Sequence, residues 1–293
     1  MMPSLPLAIF DIGSNAVRLT IYAADTTGKV EISAKAVELC ELGRLDPTTH
    51  ALYPGGVDRA RTALAQFCQM IRRPDLGVRG VVAVATEALR RASDGAAFMS
   101  RLKSEFNLTV QLLSPEEEGI YGARGVLRDM PDANGIVGDL GGGSLQLTRV
   151  QNGKIGDTYS MPIGTLRLLA ATRNIGAMID QALSDRPETL DRAEKLYIIG
   201  GSWRNLAKLY VMRAGERPDD VQGLELDPYK ISLLVKWLYD RPRAEMTAIL
   251  TRDYHFEEKR AQGLGVAGIA LNHVIDVLDA DTVIVSSAGI RDG

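Results

Sequence analysis

Three consecutive glutamates, Glu116-Glu117-Glu118, follow Leu113-Ser114-Pro115, and two aspartates, Asp11 and Asp139, each end an apolar stretch just before a glycine-rich turn. A carboxylate whose surroundings raise its pKa toward neutrality can take a proton from an attacking water. A carboxylate at a strand end can hold a divalent cation or the water around it. Glycines let a turn bend sharply and bring its N–H groups close to an anion. In the triplet, Ser114 suits a helix N-cap, Pro115 the first helical position, and Glu117 completes a capping box. Acidic residues there stabilise a helix start by about 0.3–1 kcal/mol each. That accounts for Glu116 and Glu117. Glu118 is left without a structural task, which makes it the candidate general base for water attacking phosphorus.

The elements that must position these residues are readable from hydrophobic patterning. Leu7-Ala8-Ile9-Phe10-Asp11-Ile12 enters Gly13-Ser14-Asn15 and leaves as the alternating Val17-Arg18-Leu19-Thr20-Ile21-Tyr22. Gly135-Ile136-Val137-Gly138-Asp139-Leu140 enters Gly141-Gly142-Gly143-Ser144 and leaves through Leu145-Gln146-Leu147-Thr148. Both read as β-hairpins. Two hairpins of one kind imply a duplicated domain with phosphate held between the copies. A helix is expected over 57–71, a buried strand over 80–85 feeding a helix from Thr86, a short strand over 110–113, and a helix over 119–127. The second half adds a helix from about Gly164, the strand Leu196 to Ile199 running into Gly200-Gly201-Ser202, a helix near 229–239, another from Glu257, and the run Thr282 to Val285. Strands alternating with helices in both halves predict an α/β protein of two similar lobes, residues 1–128 and 129–293.

Bulk properties exclude several classes. With 293 residues, 45% apolar and 24% charged, the chain has the composition of an ordinary globular protein. No apolar run approaches a membrane span, and Met1-Met2-Pro3 opens no signal peptide. Cys40 and Cys68 lack paired spacing, which predicts a reduced, cytoplasmic protein. The three histidines make no ligand pattern, and a net charge of −3 gives no global attraction to DNA.

Asp11 to Asn15, Thr86 to Ala92, Ser114 to Val126, Asp139 to Ser144, Pro162-Ile163-Gly164 and Gly200-Gly201-Ser202 together resemble the exopolyphosphatase/guanosine-pentaphosphatase family, in order and spacing over nearly the whole chain. The resemblance implies two actin-like (ribonuclease H-like) lobes with the active site in the interdomain cleft. It implies Mg²⁺-dependent removal of terminal phosphate from inorganic polyphosphate, or of the 5′ γ-phosphate from guanosine pentaphosphate (pppGpp). It further implies a homodimer and no organic cofactor. Position by position, the catalytic glutamate pair falls on Glu117 and Glu118, with Glu118 as the base. Arg90 matches a phosphate-binding arginine, a planar fork suited to bidentate contact. Asp11 and Asp139 match the Mg²⁺ or water ligands. Gly13, Ser14, Asn15, Gly141, Gly142, Gly143 and Ser144 match the phosphate turns, and Gly201 and Ser202 a third loop facing the cleft.

The chain departs from the family pattern at Gln146, where a metal-binding Glu is common, and at Gln222, where a His is usual. Gln146 in the metal site predicts weaker or displaced metal binding. Two rivals follow: a kinase of the same superfold, against which the bulk of Trp203 beside the third loop argues, and a non-catalytic sensor of polyphosphate or an alarmone, motivated by Gln146 and Gln222. Gly289-Ile290-Arg291-Asp292-Gly293 resembles the family's close of the second lobe, after which long members continue into a further helical domain. This is either a short-type member or one cut at that point. A member without the basic extension is expected to grip long polyphosphate more weakly, which favours short polyphosphate or a nucleotide.

Overall fold

The computed structural model describes residues 5–172 and 174–293; the expectation about Met1-Met2-Pro3 lies outside them. The chain forms two compact units, Met1–Ser114 and Pro115–Gly293.

In the first unit, β1 (Leu7–Ile12), β2 (Ala16–Ala24) and β3 (Val30–Leu39) form an antiparallel meander. The chain continues through α1 (Pro54–Met70), β4 (Gly80–Ala85), α2 (Glu87–Arg91), α3 (Gly95–Phe106) and β5 (Gln111–Leu112). β4 and β5 add in parallel beside β1, giving the order β3-β2-β1-β4-β5. Alternation decides the faces: Ala8, Phe10 and Ile12 of β1 meet Leu64 and Phe67 of α1 and Phe98 and Leu102 of α3 in one core.

The second unit opens with α4 (Pro115–Asp129) and repeats the meander as β6 (Gly135–Leu140), β7 (Leu145–Gln151) and β8 (Lys154–Met161). After α5 (Thr165–Ala170) and α6 (Ile175–Ser184) come β9 (Lys195–Ile199), α7 (Gly201–Arg213) and β10 (Glu225–Leu226). Then follow α8 (Pro228–Tyr239), α9 (Arg243–Tyr254), α10 (Glu258–Leu278) and β11 (Thr282–Val285). The sheet order is β10-β11-β9-β6-β7-β8, with β6, β9 and β11 parallel. Read from the meander inward, both sheets run third, second, first strand and then two parallel strands. This is the duplicated α/β lobe the two hairpins predict.

The sequence reading ends the first lobe at residue 128. Helix α4 instead packs on the second unit's own sheet, through Ala123 and Val126 against Val137, Val150 and Ile199, and the division falls at Ser114/Pro115. α10 is long and apolar enough to cross a membrane by length and composition alone, a run the sequence reading passed over; 56% of its apolar window is buried inside the unit. Its Leu264, Ala267, Leu271 and Val274 belong to the main core, which explains its character as that of a central core helix.

Candidate active site

In each lobe the candidate aspartate and glycine turn stand at the same place, the mouth of the first hairpin. In the first unit the Gly13 N–H donates to the Ala16 carbonyl (3.0 Å), closing the turn. The carbonyl of Ser14 accepts from Gly43 N (2.8 Å), and that of Asn15 from Cys40 N (3.0 Å) and Glu41 N (2.9 Å). In a trans peptide the N–H points opposite to the C=O, so the N–H groups following these carbonyls face away from the 40–43 loop. An anion would approach on that side.

The Ser14 hydroxyl donates to Glu87 Oε2 (3.0 Å), and Glu87 Oε1 accepts from Arg91 Nη1 (3.0 Å). Ser14 thus commits its hydroxyl proton to pinning the turn on α2, and its contribution to an anion is its backbone. Glu87, buried, was not singled out from sequence. The available signal was a charged residue two positions after an apolar strand end. Replacing it by Ala removes the acceptor of a buried hydroxyl, a loss of about 1–3 kcal/mol. A urea-unfolding midpoint identical to that of the parent protein would refute the role. Arg90 reaches the Leu113 carbonyl through Nη1 (2.5 Å), at the end of β5. A guanidinium has five N–H donors, so this contact aims the fork without exhausting it.

The second unit's site is built under the N-terminal half of α4. Glu116 is exposed, Glu117 half-buried and Glu118 buried, because the inward stripe of the helix runs Glu118, Gly119, Gly122, Ala123, Gly125, Val126. Three glycines on that stripe let the helix lie close. A Cβ at Gly119 would strike Thr158 Cγ2 and sit 2.7 Å from Thr148 Oγ1, and one at Gly122 would sit 2.9 Å from Ile199 Cδ1. The close approach brings the Glu118 carboxylate, 4% exposed, to the side chain of Gln146 on β7. Gln146 Nε2 lies 3.3 Å from Glu118 Oε2, 2.8 Å from Ser144 Oγ and 3.2 Å from Ser160 Oγ. The opposite amide orientation would set Oε1 against a carboxylate, so the network fixes the nitrogen inward. Ser144 accepts here, which leaves its hydroxyl proton to donate elsewhere, the reverse of Ser14.

Asp139 faces Gln146 across the β6–β7 pair, as Asp11 faces Arg18 across β1–β2. Arg18 Nη1 stands 3.5 Å from Asp11 Oδ2, so that carboxylate already has a cation beside it. The strand partner of Asp139 is neutral. A Cβ at Gly122 would sit 3.7 Å from Asp139 Oδ2, and one at Gly200, where φ is +91°, 2.8 Å from Oδ1. Asp139 therefore lies between α4 and the Gly200-Gly201-Ser202 turn, which opens α7. Among the described residues no group of three or more His, Cys, Asp or Glu is gathered to hold a metal. Mg²⁺ needs no such cage; one or two carboxylates with substrate phosphates suffice, and Asp139 fits that donor set. Gln146 turns toward Glu118 an amide nitrogen, which is not a metal ligand. A Gln146→Glu substitution would place two carboxylates side by side, an arrangement relieved by a proton or a cation. Its expected signature is a melting temperature below the parent's in EDTA and a larger upward shift on adding Mg²⁺. Equal Mg²⁺ shifts in the two proteins would refute it.

The glycine turn of this unit is held from behind. Gly141 N donates to the Ser144 carbonyl (2.9 Å), while Thr165 N and Leu166 N, at the start of α5, donate to the carbonyls of Gly141 (3.0 Å) and Gly142 (2.8 Å). The N–H groups of Gly142 and Gly143 accordingly face away from α5. A Cβ at Gly164 would collide with Gly142 and Gly143 backbone atoms.

Trp203 and Gln222 both have partners within the fold. Trp203 is fully buried, its Nε1 bonded to the Ala267 carbonyl (2.9 Å) and its ring against Gly138. Its bulk fills the core and does not stand in the way of a base. Gln222 Oε1 accepts from Ser287 N (2.5 Å), a tie to the chain just after β11, so it has a structural task.

The Ppx/GppA phosphatase family model matches residues 21–293 of the chain. Among solved structures, the Aquifex aeolicus Ppx/GppA family member is 26% identical over 98% of this chain and 94% of that one, with a TM-score of 0.80. Exopolyphosphatase 1 of Mycobacterium tuberculosis is 25% identical over 55% of this chain and 47% of that protein. Retrograde regulation protein 2 of Saccharomyces cerevisiae is 24% identical over 97% of this chain and 54% of that protein. The chain spans about half the length of these two curated relatives.

Proposed function

The chain belongs to the Ppx/GppA phosphatase family, and from that premise we propose that it is a phosphoanhydride hydrolase releasing orthophosphate from the end of inorganic polyphosphate. The observation that carries this reading is the buried Glu118 carboxylate, held by Gln146 at the mouth of a glycine turn whose N–H groups are oriented by α5. A base and an anion cradle on one rigid unit are what water attack on a phosphoryl group needs.

In the proposed reaction the terminal phosphate rests against the turn N–H groups of Gly142 and Gly143 and the Ser144 hydroxyl. In the first unit taken by itself, the Gly13-Ser14-Asn15 turn and Arg90 are also suited to phosphate. Asp139 would hold Mg²⁺, which when bound supplies positive charge for the non-bridging oxygens. Glu118 accepts a proton from the attacking water as the oxygen–phosphorus bond forms and the bridging oxygen leaves with the shortened chain. Gln146 donates to Glu118 and keeps the carboxylate aimed. Most of the acceleration comes from positioning and electrostatics.

The test is phosphate release with Mg²⁺ from long-chain polyphosphate, tripolyphosphate and pppGpp, each repeated in EDTA. Release that needs the divalent ion and is fastest with polyphosphate supports the reading. Release from pppGpp alone moves the substrate to a nucleotide. Tight binding with no release from any of them makes the protein a sensor and overturns the hydrolase.

A further inference from the structure

Behind the glycine turn of the first unit stands a charged cluster that no step above uses. Cys40 N and Glu41 N both donate to the Asn15 carbonyl, and Gly43 N donates to that of Ser14. Three donors from one loop therefore set two successive carbonyls of the turn. At Glu41, where the two donors converge on one oxygen, the chain turns left-handed, with φ at 57°. A side chain is disfavoured in that conformation, and glycine would adopt it freely.

The Glu41 side chain has a task that glycine could not perform. Its carboxylate, 13% exposed, lies 3.4 Å from Arg59 Nη2 and 3.5 Å from Arg44 Nη1. Arg59, on α1, also donates from Nη2 to the Cys40 carbonyl at 2.7 Å. One guanidinium thus grips the loop by its backbone and by its carboxylate. Both arginines also stand near the Tyr53 ring at the N-cap of α1, Arg59 at 5.8 Å and Arg44 at 6.0 Å from its centroid. The arrangement carries two penalties. Glu41 is left-handed, and Arg59 Nε is buried with no hydrogen-bond partner among the described residues. A loop serving stability alone would do better with glycine at position 41 and no buried guanidinium. Strain of this kind belongs where a conformation must be held. Here it holds the Ser14 and Asn15 carbonyls, and with them the direction of the N–H groups on the other side of the turn.

We infer that Glu41 and Arg59 are positioning residues for anion binding in the first unit. Their ion pair keeps Glu41 left-handed and so keeps the Gly13-Ser14-Asn15 turn in the orientation that presents its N–H groups. The inference rests on the proposed hydrolase reading for the identity of the anion as phosphate.

The experiment compares Glu41→Gly and Arg59→Gln with a control, Arg61→Gln, which removes the exposed pair between α1 and Glu105 (2.9 Å). Glycine at 41 permits the left-handed turn but does not enforce it. Calorimetry with Mg²⁺ gives the dissociation constant of imidodiphosphate, a non-hydrolysable probe. Glu41→Gly and Arg59→Gln are each expected to bind it about 10-fold more weakly than the parent, the size of one lost hydrogen bond. The control should bind as the parent does. The two substitutions change net charge in opposite senses, so a long-range field would weaken one and tighten the other. Hydrogen exchange at residues 40–43 should rise about 10-fold or more in both variants, with α1 and α3 as protected as in the parent. Tighter binding by Glu41→Gly, or parent-like binding by either variant, overturns the inference. Parent-like exchange at 40–43 overturns it too. So does protection lost across the whole unit, which marks a merely structural pair. Phosphate release from tripolyphosphate by the parent protein tests the hydrolase separately. Its absence, with the binding losses intact, would contradict the hydrolase and support the positioning pair.

Discussion

Replacing Glu118 by Ala is expected to slow phosphate release by about 10²–10⁴-fold, the usual contribution of a positioned general base, with little change in substrate binding. The fold should survive. Gln146 Nε2 has two protons and, with Glu118 removed, still has Ser144 and Ser160 as acceptors within 3.2 Å, so no buried donor is stranded. Gly119 already packs on Thr148 and Thr158 without help from its neighbour. Glu118→Gln, which keeps size and hydrogen bonding but cannot take up the proton, should lose nearly as much. Glu117→Ala, at a half-buried position with no place in the network around Gln146, should stay within a few-fold of the parent, on the order of a surface change. Steady-state kcat and KM for the three variants settle the assignment. Parent-like kcat in Glu118→Ala would place the base elsewhere.

Gly164→Ala should be nearly as damaging, for a reason remote from proton transfer. Its Cβ would meet the Gly142 carbonyl carbon and the Gly143 nitrogen, and both neighbours are backbone, so no side chain can swing aside. Either the α5 N-terminus retreats and loses the bonds from Thr165 N and Leu166 N, or the glycine turn shifts. Overpacking of this kind costs about 1–3 kcal/mol. A displacement of the phosphate cradle by roughly 1 Å can cost 10²-fold in rate. Gly263→Ala in α10 is the matched control, because its Cβ would meet nothing within 4 Å. Gly164→Ala with parent-like kcat and urea midpoint would show that the turn is not held from behind as described.

Much of this was legible in the residues because the signals were local. A continuous apolar strand, a turn of glycines and an alternating return strand mark both hairpins, and the duplication follows from their likeness. Helix capping explains Glu116 and Glu117 and leaves Glu118 over, in line with its being the buried one of the three. What escaped depended on distant partners. The donors of Gln146 meet acceptors on α4 and β8, so the residue expected to ligate metal has its amide nitrogen bonded to Glu118 and Ser160. Ser14 is tied to Glu87 from another element, and Trp203 points into the core because Gly138 on β6 leaves room for its ring. α9 went unnoticed, since Arg243 to Tyr254 mixes charged and apolar residues with little periodicity and buries only Met246, Thr247 and Leu250. The helix expected from Thr86 stops after five residues at Ala92, which leaves the helical region (ψ 134°). α4 belongs with the second sheet because its glycines fit there, a preference no local pattern reveals.

The most direct test is hydrolysis of long-chain polyphosphate in water enriched in ¹⁸O, with Mg²⁺ present and the released orthophosphate analysed by mass. Water activated by Glu118 and attacking the terminal phosphorus predicts orthophosphate that carries a water-derived oxygen, formed by the parent protein and nearly absent with Glu118→Ala. Orthophosphate that appears equally fast from the variant, or phosphate that passes to added ADP instead of water, would contradict it.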